Sequence, residues 1–202
     1  MKNVMAFSLI VLLFLGKTVL GQGYEVGDVV ADFNLKGVDH KMYSLEGMAN
    51  VDGVILTFTC NTCPVSQAYE QRILELDAKY KDQGYPVVAI NPNDESRQPG
   101  DSFAAMLDRA ENKGYTFPYL QDATQEIAKA YGATRTPHNF VLQKNDEGAF
   151  VVKYIGAIDN NMQSADAATE KYLENAVDQL IAGEEVSVPF TKAIGCGIKW
   201  AN

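Results

Sequence analysis

The stretch that decides the fold places two cysteines after an apolar run and before a proline: Val54-Ile55-Leu56-Thr57-Phe58-Thr59-Cys60-Asn61-Thr62-Cys63-Pro64. The apolar run is typical of a buried strand, and the apolar spacing from Pro64 to about Tyr80 fits one face of a helix. Pro64 is compatible with this helix because proline is tolerated in a first helical turn. The sequence therefore predicts a strand, a Cys-x-x-Cys turn and a helix, in that order.

The two thiols of this turn are predicted to be redox-active. A helix N-terminus offers partial positive charge and free N–H groups, which stabilise a thiolate and lower its pKa. A zinc site is disfavoured, since Cys196, His40 and His138 are not spaced as a second pair of ligands. A purely structural disulfide between Cys60 and Cys63 stays open, although so short a loop stabilises a fold little. We expect no metal and no other cofactor.

The first 21 residues have the pattern of a secretory signal peptide, with Lys2 ahead of an apolar run and cleavage expected after Gly21. A retained membrane anchor is the alternative. Residues 22–202 then form a single domain. Export to the periplasm or another extracytoplasmic space would drive accessible thiols toward the disulfide. We therefore expect a redox partner protein, either a membrane electron donor or an oxidant.

The sequence argues against two further functions, nucleic-acid binding and covalent haem attachment. The formal net charge of −9 argues against nucleic-acid binding, which depends on cationic contacts with phosphates. Covalent haem is not expected either, because Pro64 stands where the haem-attachment motif Cys-x-x-Cys-His requires a histidine.

The rest of the chain alternates between strand and helix patterns and has no internal repeat. Residues 33–35 and 42–45 are predicted to form an N-terminal hairpin. Strands are predicted at 86–90, 117–120, 139–143 and 150–154, and helices at 102–112, 122–131 and 165–182. The polar stretch 91–100 is predicted to be a solvated connection, although loops after strand ends also bind ligands in such folds.

Three segments carry a family resemblance: residues 26–35, the Cys60 to Pro64 motif, and the dipeptide Thr136-Pro137. Together they resemble the redoxins of the alkyl hydroperoxide reductase and thiol-specific antioxidant superfamily. The resemblance implies an α/β thioredoxin-like fold, in which helices flank a central mixed β-sheet and the N-terminal hairpin is an extension. It also implies an exported thiol-disulfide oxidoreductase that acts on protein thiols or disulfides.

The same resemblance implies residue roles. Cys60 would be the exposed nucleophile and Cys63 the buried resolving thiol. Pro137 would follow a cis peptide bond and pack against the sulfurs, while the backbone of Thr136 would pair with a substrate chain. His138 could favour a thiolate when it is charged, although a histidine that begins a strand is more often structural.

Two alternative functions remain. Thr57 precedes Cys60 by three residues, as in the Thr-x-x-Cys motif of peroxiredoxins, and Arg135 could polarise a peroxide. Cys60 would then pass through a sulfenic acid, although Gly53 replaces the proline that begins that motif. The other alternative is a non-catalytic binding module, because a fold alone does not establish catalysis.

Cys196 is the third and last cysteine, in a tail that also holds the only tryptophan. An odd cysteine in an exported protein indicates a reactive or cross-linked thiol. Cys196 could form a disulfide with Cys60 or Cys63 and so make a three-thiol relay, in which Gly195 and Gly197 let the tail approach closely. The alternative is an unpaired cysteine packed beside Trp200.

Overall fold

The computed structural model describes residues 23–201, so the predicted signal peptide lies outside the described residues. The strands are β1 Leu35–Gly37, β2 Met42–Tyr43, β3 Gly53–Phe58, β4 Val87–Asn91, β5 Tyr119–Gln121, β6 Arg135–Thr136, β7 His138–Lys144, β8 Phe150–Gly156 and β9 Cys196–Gly197. The helices are α1 Pro64–Tyr80, α2 Phe103–Lys113, α3 Glu126–Tyr131 and α4 Tyr172–Ile181.

A seven-stranded mixed sheet forms the centre of the domain, in the order β2-β1-β5-β4-β3-β7-β8. Strands β3, β4 and β5 run parallel, and β7 and β8 extend the sheet in antiparallel pairing. Every residue of β3 and β4 is buried, as continuous apolar runs require when both faces of a sheet are covered. The arrangement confirms the predicted thioredoxin-like fold with its central mixed sheet.

Two apolar clusters cover the two faces of the sheet. On one face, α1 packs with α2 and α4 through side chains such as Ile73, Met106 and Leu173. On the other face, α3, the entry segment (residues 23–33) and the C-terminal tail (residues 188–201) cover Phe58 and Phe140. Fully burying one such side chain contributes about 1.5–3 kcal/mol. Packing on both faces therefore fixes the end of β3 and the start of α1, where the Cys-x-x-Cys motif lies.

Helix α4 is shorter than predicted, because it begins at Tyr172 and the segment 165–171 is not helical. The side chain of Asn160 accepts hydrogen bonds from the backbone N–H groups of Thr169 and Glu170. Asparagine competes with helix formation through such bonds. The apolar spacing of this region therefore overestimated the length of the helix.

The prediction that residues 91–100 are a solvated connection holds for exposed residues such as Glu95 and Ser96, but not for the buried start of the segment. Asn93 is buried and its side chain accepts a hydrogen bond from the backbone N–H of Lys199 in the tail. The backbone N–H of Asp94 donates to the carbonyl oxygen of Lys199. The segment ends in a 3-10 turn, Pro99–Asp101, that packs against the cysteine motif. This loop therefore joins the tail to the site.

Candidate active site

The Cys-x-x-Cys motif lies where β3 ends and α1 begins, as predicted. Cys63 is the N-cap residue of α1 and Pro64 occupies the first turn. Both cysteines are buried, with Cys60 5% exposed and Cys63 3% exposed. The expectation of an exposed Cys60 nucleophile was therefore wrong, because the tail and the Pro99–Asp101 turn cover the motif.

The peptide bond between Thr136 and Pro137 is cis, as the resemblance implied. Thr136 contacts both sulfurs of the motif. Its hydroxyl lies 3.0 Å from Cys60 Sγ, within hydrogen-bond distance, and its carbonyl oxygen lies 3.2 Å from Cys63 Sγ. Thr136, a single buried residue just before β7, therefore contacts the sulfur atoms of both Cys60 and Cys63.

Cys63 forms a disulfide with Cys196, and Cys60 is a free thiol. The two Cα atoms are 5.9 Å apart, within the range that a disulfide spans. Cys196 reaches this place because β9 pairs antiparallel with β6, in a register that sets Cys196 opposite Thr136. The structure therefore joins a different pair from Cys60 and Cys63, and it supports a cross-linked Cys196 over an unpaired one.

The two tail glycines differ in what they contribute. A Cβ atom on Gly195 would overlap the carbonyl group of Thr136, so only glycine allows this close approach. A Cβ atom on Gly197 would meet nothing within 4 Å. The expectation of close approach is thus confirmed for Gly195 and wrong for Gly197.

Gly195→Ala is expected to weaken docking of the tail. Overpacking of this kind costs about 1–3 kcal/mol, which corresponds to a 5- to 150-fold smaller ratio of docked to undocked tail. Alkylation and mass spectrometry in a graded redox buffer would then show Cys63–Cys196 forming only under more oxidising conditions. Gly197→Ala is the matched control and should behave like the wild type. Equal behaviour of both variants would contradict the steric argument.

Burial raises the pKa of the Cys60 thiol, the hydrogen bond between Cys60 and Thr136 lowers it, and the negative charge of Asp101 raises it. The prediction of a low pKa was therefore wrong for this residue. Cys63, not Cys60, caps α1, and the helix dipole acts mainly within the first turn. The thiolate of Cys60 consequently forms at a higher pH than the thiolate of a cysteine with an ordinary pKa.

Asp101 is a site residue that the sequence analysis missed. It is fully buried and accepts hydrogen bonds from the backbone N–H groups of Asn61 and Thr62 and from the hydroxyl of Thr62. It also accepts one from the side chain of Asn93. These bonds fix the two residues between the cysteines, and thereby the positions of both cysteines. Its only sequence signal is an acidic residue in a loop, which is too common to be diagnostic.

Asp101→Asn is expected to lower the pKa of Cys60, because it removes a nearby negative charge that disfavours the thiolate. The pH dependence of Cys60 alkylation by iodoacetamide would measure the shift. Asp122→Asn is the control, since Asp122 is equally buried and its carboxylate binds the N–H of Ala128. A shift of equal size in both variants would contradict a specific charge effect of Asp101.

The proposed accessory residues His138, Thr57 and Arg135 each have a contact that differs from the role considered for it. His138 is buried against Phe140, and burial, with Arg135 nearby, lowers its pKa to about 4. His138 is therefore neutral near pH 7 and cannot stabilise a thiolate by charge. Thr57 donates its hydroxyl hydrogen to Asn139 Oδ1, and Arg135 donates to the carbonyl oxygen of Gly195. These partners give no support to the peroxidase arrangement.

Two observations bound the chemistry of residues 23–201. In that range, no group of three or more histidine, cysteine, aspartate or glutamate side chains is placed to hold a metal ion. Over the same residues, no helix combines the length and apolar character that crossing a bilayer requires.

Comparison with known proteins identifies relatives of this arrangement. The family model described as AhpC/TSA family matches residues 26–158. The thiol-disulfide oxidoreductase ResA of Geobacillus kaustophilus is 29% identical over 134 residues, covering 66% of this chain and 70% of that protein.

Two solved structures are similar over most of their length. A hypothetical protein from Sinorhizobium meliloti has a TM-score of 0.80 and 31% identity, covering 90% of this chain and 97% of that one. An uncharacterized conserved protein from Geobacillus kaustophilus has a TM-score of 0.81 and 32% identity, covering 93% and 98% respectively.

Proposed function

This chain belongs to the AhpC/TSA family, and we propose that it is a thiol-disulfide oxidoreductase that passes electrons through three thiols, Cys60, Cys63 and Cys196. The observation that carries the proposal is the meeting of all three at Thr136. Cys60 is a free thiol at its hydroxyl, Cys63 contacts its carbonyl oxygen, and Cys196 is paired with it across the small sheet. Disulfide exchange can therefore proceed from Cys60 to Cys63 to Cys196 beside Thr136.

In the direction of client reduction, the Cys60 thiolate attacks one sulfur of a client disulfide, and the other client sulfur leaves as a thiolate that takes up a proton. Cys63 then attacks Cys60 Sγ in the mixed disulfide, which releases the reduced client and forms Cys60–Cys63. Cys196 next attacks Cys63 Sγ and frees Cys60. Two electrons have passed to the client, and the enzyme holds the Cys63–Cys196 disulfide with Cys60 free. The reverse sequence oxidises a client.

The tail also controls access to the site in this scheme. The family resemblance places a client backbone at Thr136, which is the position that β9 occupies in the structure. A client must therefore displace β9 before its disulfide meets Cys60. Reduction of Cys63–Cys196 removes the covalent bond that holds β9 there. The reaction that returns Cys63 and Cys196 to thiols therefore also opens the site.

Export of the protein is part of the proposal. A disulfide of a partly buried tail persists in an oxidising compartment, and in the cytosol it would be kept reduced. This supports the signal peptide proposed at residues 1–21. A reductase in such a compartment needs an electron donor, and an oxidase needs an acceptor; in either case a redox partner protein must exchange with the Cys63–Cys196 disulfide.

The reduction potentials of the two disulfides test the proposal. Protein equilibrated in glutathione or dithiothreitol buffers would be alkylated, digested and analysed by mass spectrometry, so that Cys60–Cys63 and Cys63–Cys196 are counted separately. A potential of about −270 mV, the value of thioredoxin, would make the protein a reductant, and one well above that of glutathione would make it an oxidant or isomerase. We expect both disulfides to appear in exchange with each other.

Failure to observe exchange would contradict the relay. If Cys60 stays a free thiol at every redox poise and the protein reduces neither insulin nor a peroxide, the non-catalytic binding module becomes the better account. If peroxide converts Cys60 to a sulfenic acid at a rapid rate, the peroxidase alternative replaces the relay.

A further inference from the structure

We propose that Cys196 is the sulfur that exchanges with the redox partner, and that the groove beside it binds an apolar, acidic segment of that partner protein. The inference rests on the proposed function and adds to it the entry point and the kind of partner. Three features of the described residues carry it: the burial of the three cysteines, the lining of the groove, and the charge around the groove.

Burial distinguishes the sulfur positions. Cys60 and Cys63 are both buried, whereas Cys196 is only partly buried, on a short edge strand whose neighbour Gly197 is exposed. A thiolate must reach a disulfide sulfur along the S–S axis, and access therefore selects which sulfur is attacked. Attack from outside thus falls on Cys196, and Cys63 is the leaving group.

A groove of about 620 Å³ lies beside this end of the tail, between the entry segment, the loop before β7 and the tail. Its size is that of a typical ligand-binding cleft. Phe190 and Val26 line it and are 65% and 41% exposed. Arg135 also lines it; this residue lies opposite Gly197 across the β6–β9 pair and donates a hydrogen bond to the carbonyl oxygen of Gly195, so it contacts both neighbours of Cys196. The groove therefore offers an apolar surface close to the exchanging sulfur.

The charges around the groove favour an acidic partner. Its charged lining residues are Arg135, Lys192 and Glu25, which leaves a net positive charge in a chain whose formal charge is −9. Arg135 uses one of its N–H groups on Gly195, and its guanidinium has further donors. Lys192 makes no hydrogen bond or ion pair with any residue from 23 to 201. Carboxylates on the partner would pair with these two cations.

The exchange transfers two electrons from a dithiol partner to the Cys63–Cys196 disulfide. A thiolate of the partner attacks Cys196 Sγ, a bond forms between the partner sulfur and Cys196, and the Cys63–Cys196 bond breaks. Cys63 leaves as a thiolate and takes up a proton. The second thiol of a dithiol partner then attacks the partner's own sulfur in the mixed disulfide and releases Cys196. The partner is oxidised to its disulfide, and Cys63 and Cys196 are reduced.

Synthetic cysteine peptides would test both parts of the inference. The probe is the acetylated, amidated peptide Glu-Leu-Cys-Leu-Glu, and its twin carries lysine in place of both glutamates. Each peptide's rate of reducing the Cys63–Cys196 disulfide is divided by its rate with a small aromatic disulfide, which removes differences in intrinsic thiol reactivity. We expect the acidic peptide to react about tenfold faster at low salt. The advantage should shrink in 0.5 M salt, at which the Debye length is only about 4 Å.

Site and specificity have separate readouts. Acid quenching and peptide mapping of Cys60→Ser protein should locate the mixed disulfide on Cys196. In the double variant Phe190→Ser with Lys192→Glu, the acidic peptide should lose its advantage. The matched control is Met42→Ser with Lys41→Glu, two exposed positions on β2 and beside it, at the far edge of the sheet. This control should keep the wild-type preference.

The outcomes separate this inference from the proposed function. A mixed disulfide on Cys63, or equal normalised rates for both peptides, would overturn the inference and leave the relay standing if dithiothreitol still reduces the disulfide and the thiols still exchange. If the three thiols do not exchange at any redox poise, the proposed function fails whatever the peptides show.

Discussion

Cys60→Ser is expected to lower the rate at which the reduced protein reduces insulin by on the order of a thousandfold, to the uncatalysed background. A serine hydroxyl does not ionise near neutral pH and forms no disulfide with a client. In the proposed relay every client electron passes through Cys60, the only thiol outside the Cys63–Cys196 disulfide. The assay follows insulin reduction at several pH values, with a chemical reductant that recharges the enzyme.

The experiment also measures whether the Cys63–Cys196 disulfide still forms in the variant. Cys60→Ser protein should still form Cys63–Cys196, because neither residue of that disulfide is changed. Ser66→Ala is the control variant: Ser66 Oγ lies 3.9 Å from Cys60 Sγ, at the limit of a weak contact, so its loss should change the rate little. If Cys60→Ser keeps half of the wild-type rate, Cys63 and Cys196 reduce clients by themselves and Cys60 is not the nucleophile.

The parts of the fold that depend on local pattern could be predicted. Helix α1 runs from Pro64 to Tyr80 as the apolar spacing indicated, and the hairpin of β7 and β8 forms where expected. The N-terminal hairpin also forms, but its first strand is Leu35–Gly37 and not 33–35. Apolar periodicity and turn residues are properties of neighbouring positions. A single sequence contains them directly.

The parts of the site that depend on distant residues could not. Cys63 and Cys196 are 133 residues apart, and spacing alone left both possible partners of Cys196 open. Asp101 reaches the motif from a loop 40 residues away from Asn61, and the raised pKa of Cys60 follows from burial and from the negative charge of Asp101. Burial and charge around a thiol are set by tertiary packing, whereas the low pKa expected at a helix N-terminus depends only on residues that are neighbours in the chain.

The largest effect on stability is expected for Cys196→Ser, which removes the disulfide and leaves Cys60 and Cys63 in place. The disulfide closes a loop of 133 residues, and the chain-entropy model gives about 4–5 kcal/mol for a loop of that order. Urea unfolding of the oxidised proteins would show this loss in the free energy of unfolding. Cys60→Ser should unfold like the wild type, since it removes no cross-link.

Reduction distinguishes the cross-link from the packing of the tail. In dithiothreitol the wild type and Cys196→Ser should agree within about 0.5 kcal/mol, because the disulfide is then absent from both. A difference that persists under reduction would assign the stability to contacts of the tail, such as the hydrogen bond between the Lys199 N–H and Asn93. If the difference disappears, the covalent bond accounts for the stability that Cys196→Ser loses. A partner that reduces Cys196 then opens the site to clients by the same chemistry that recharges it.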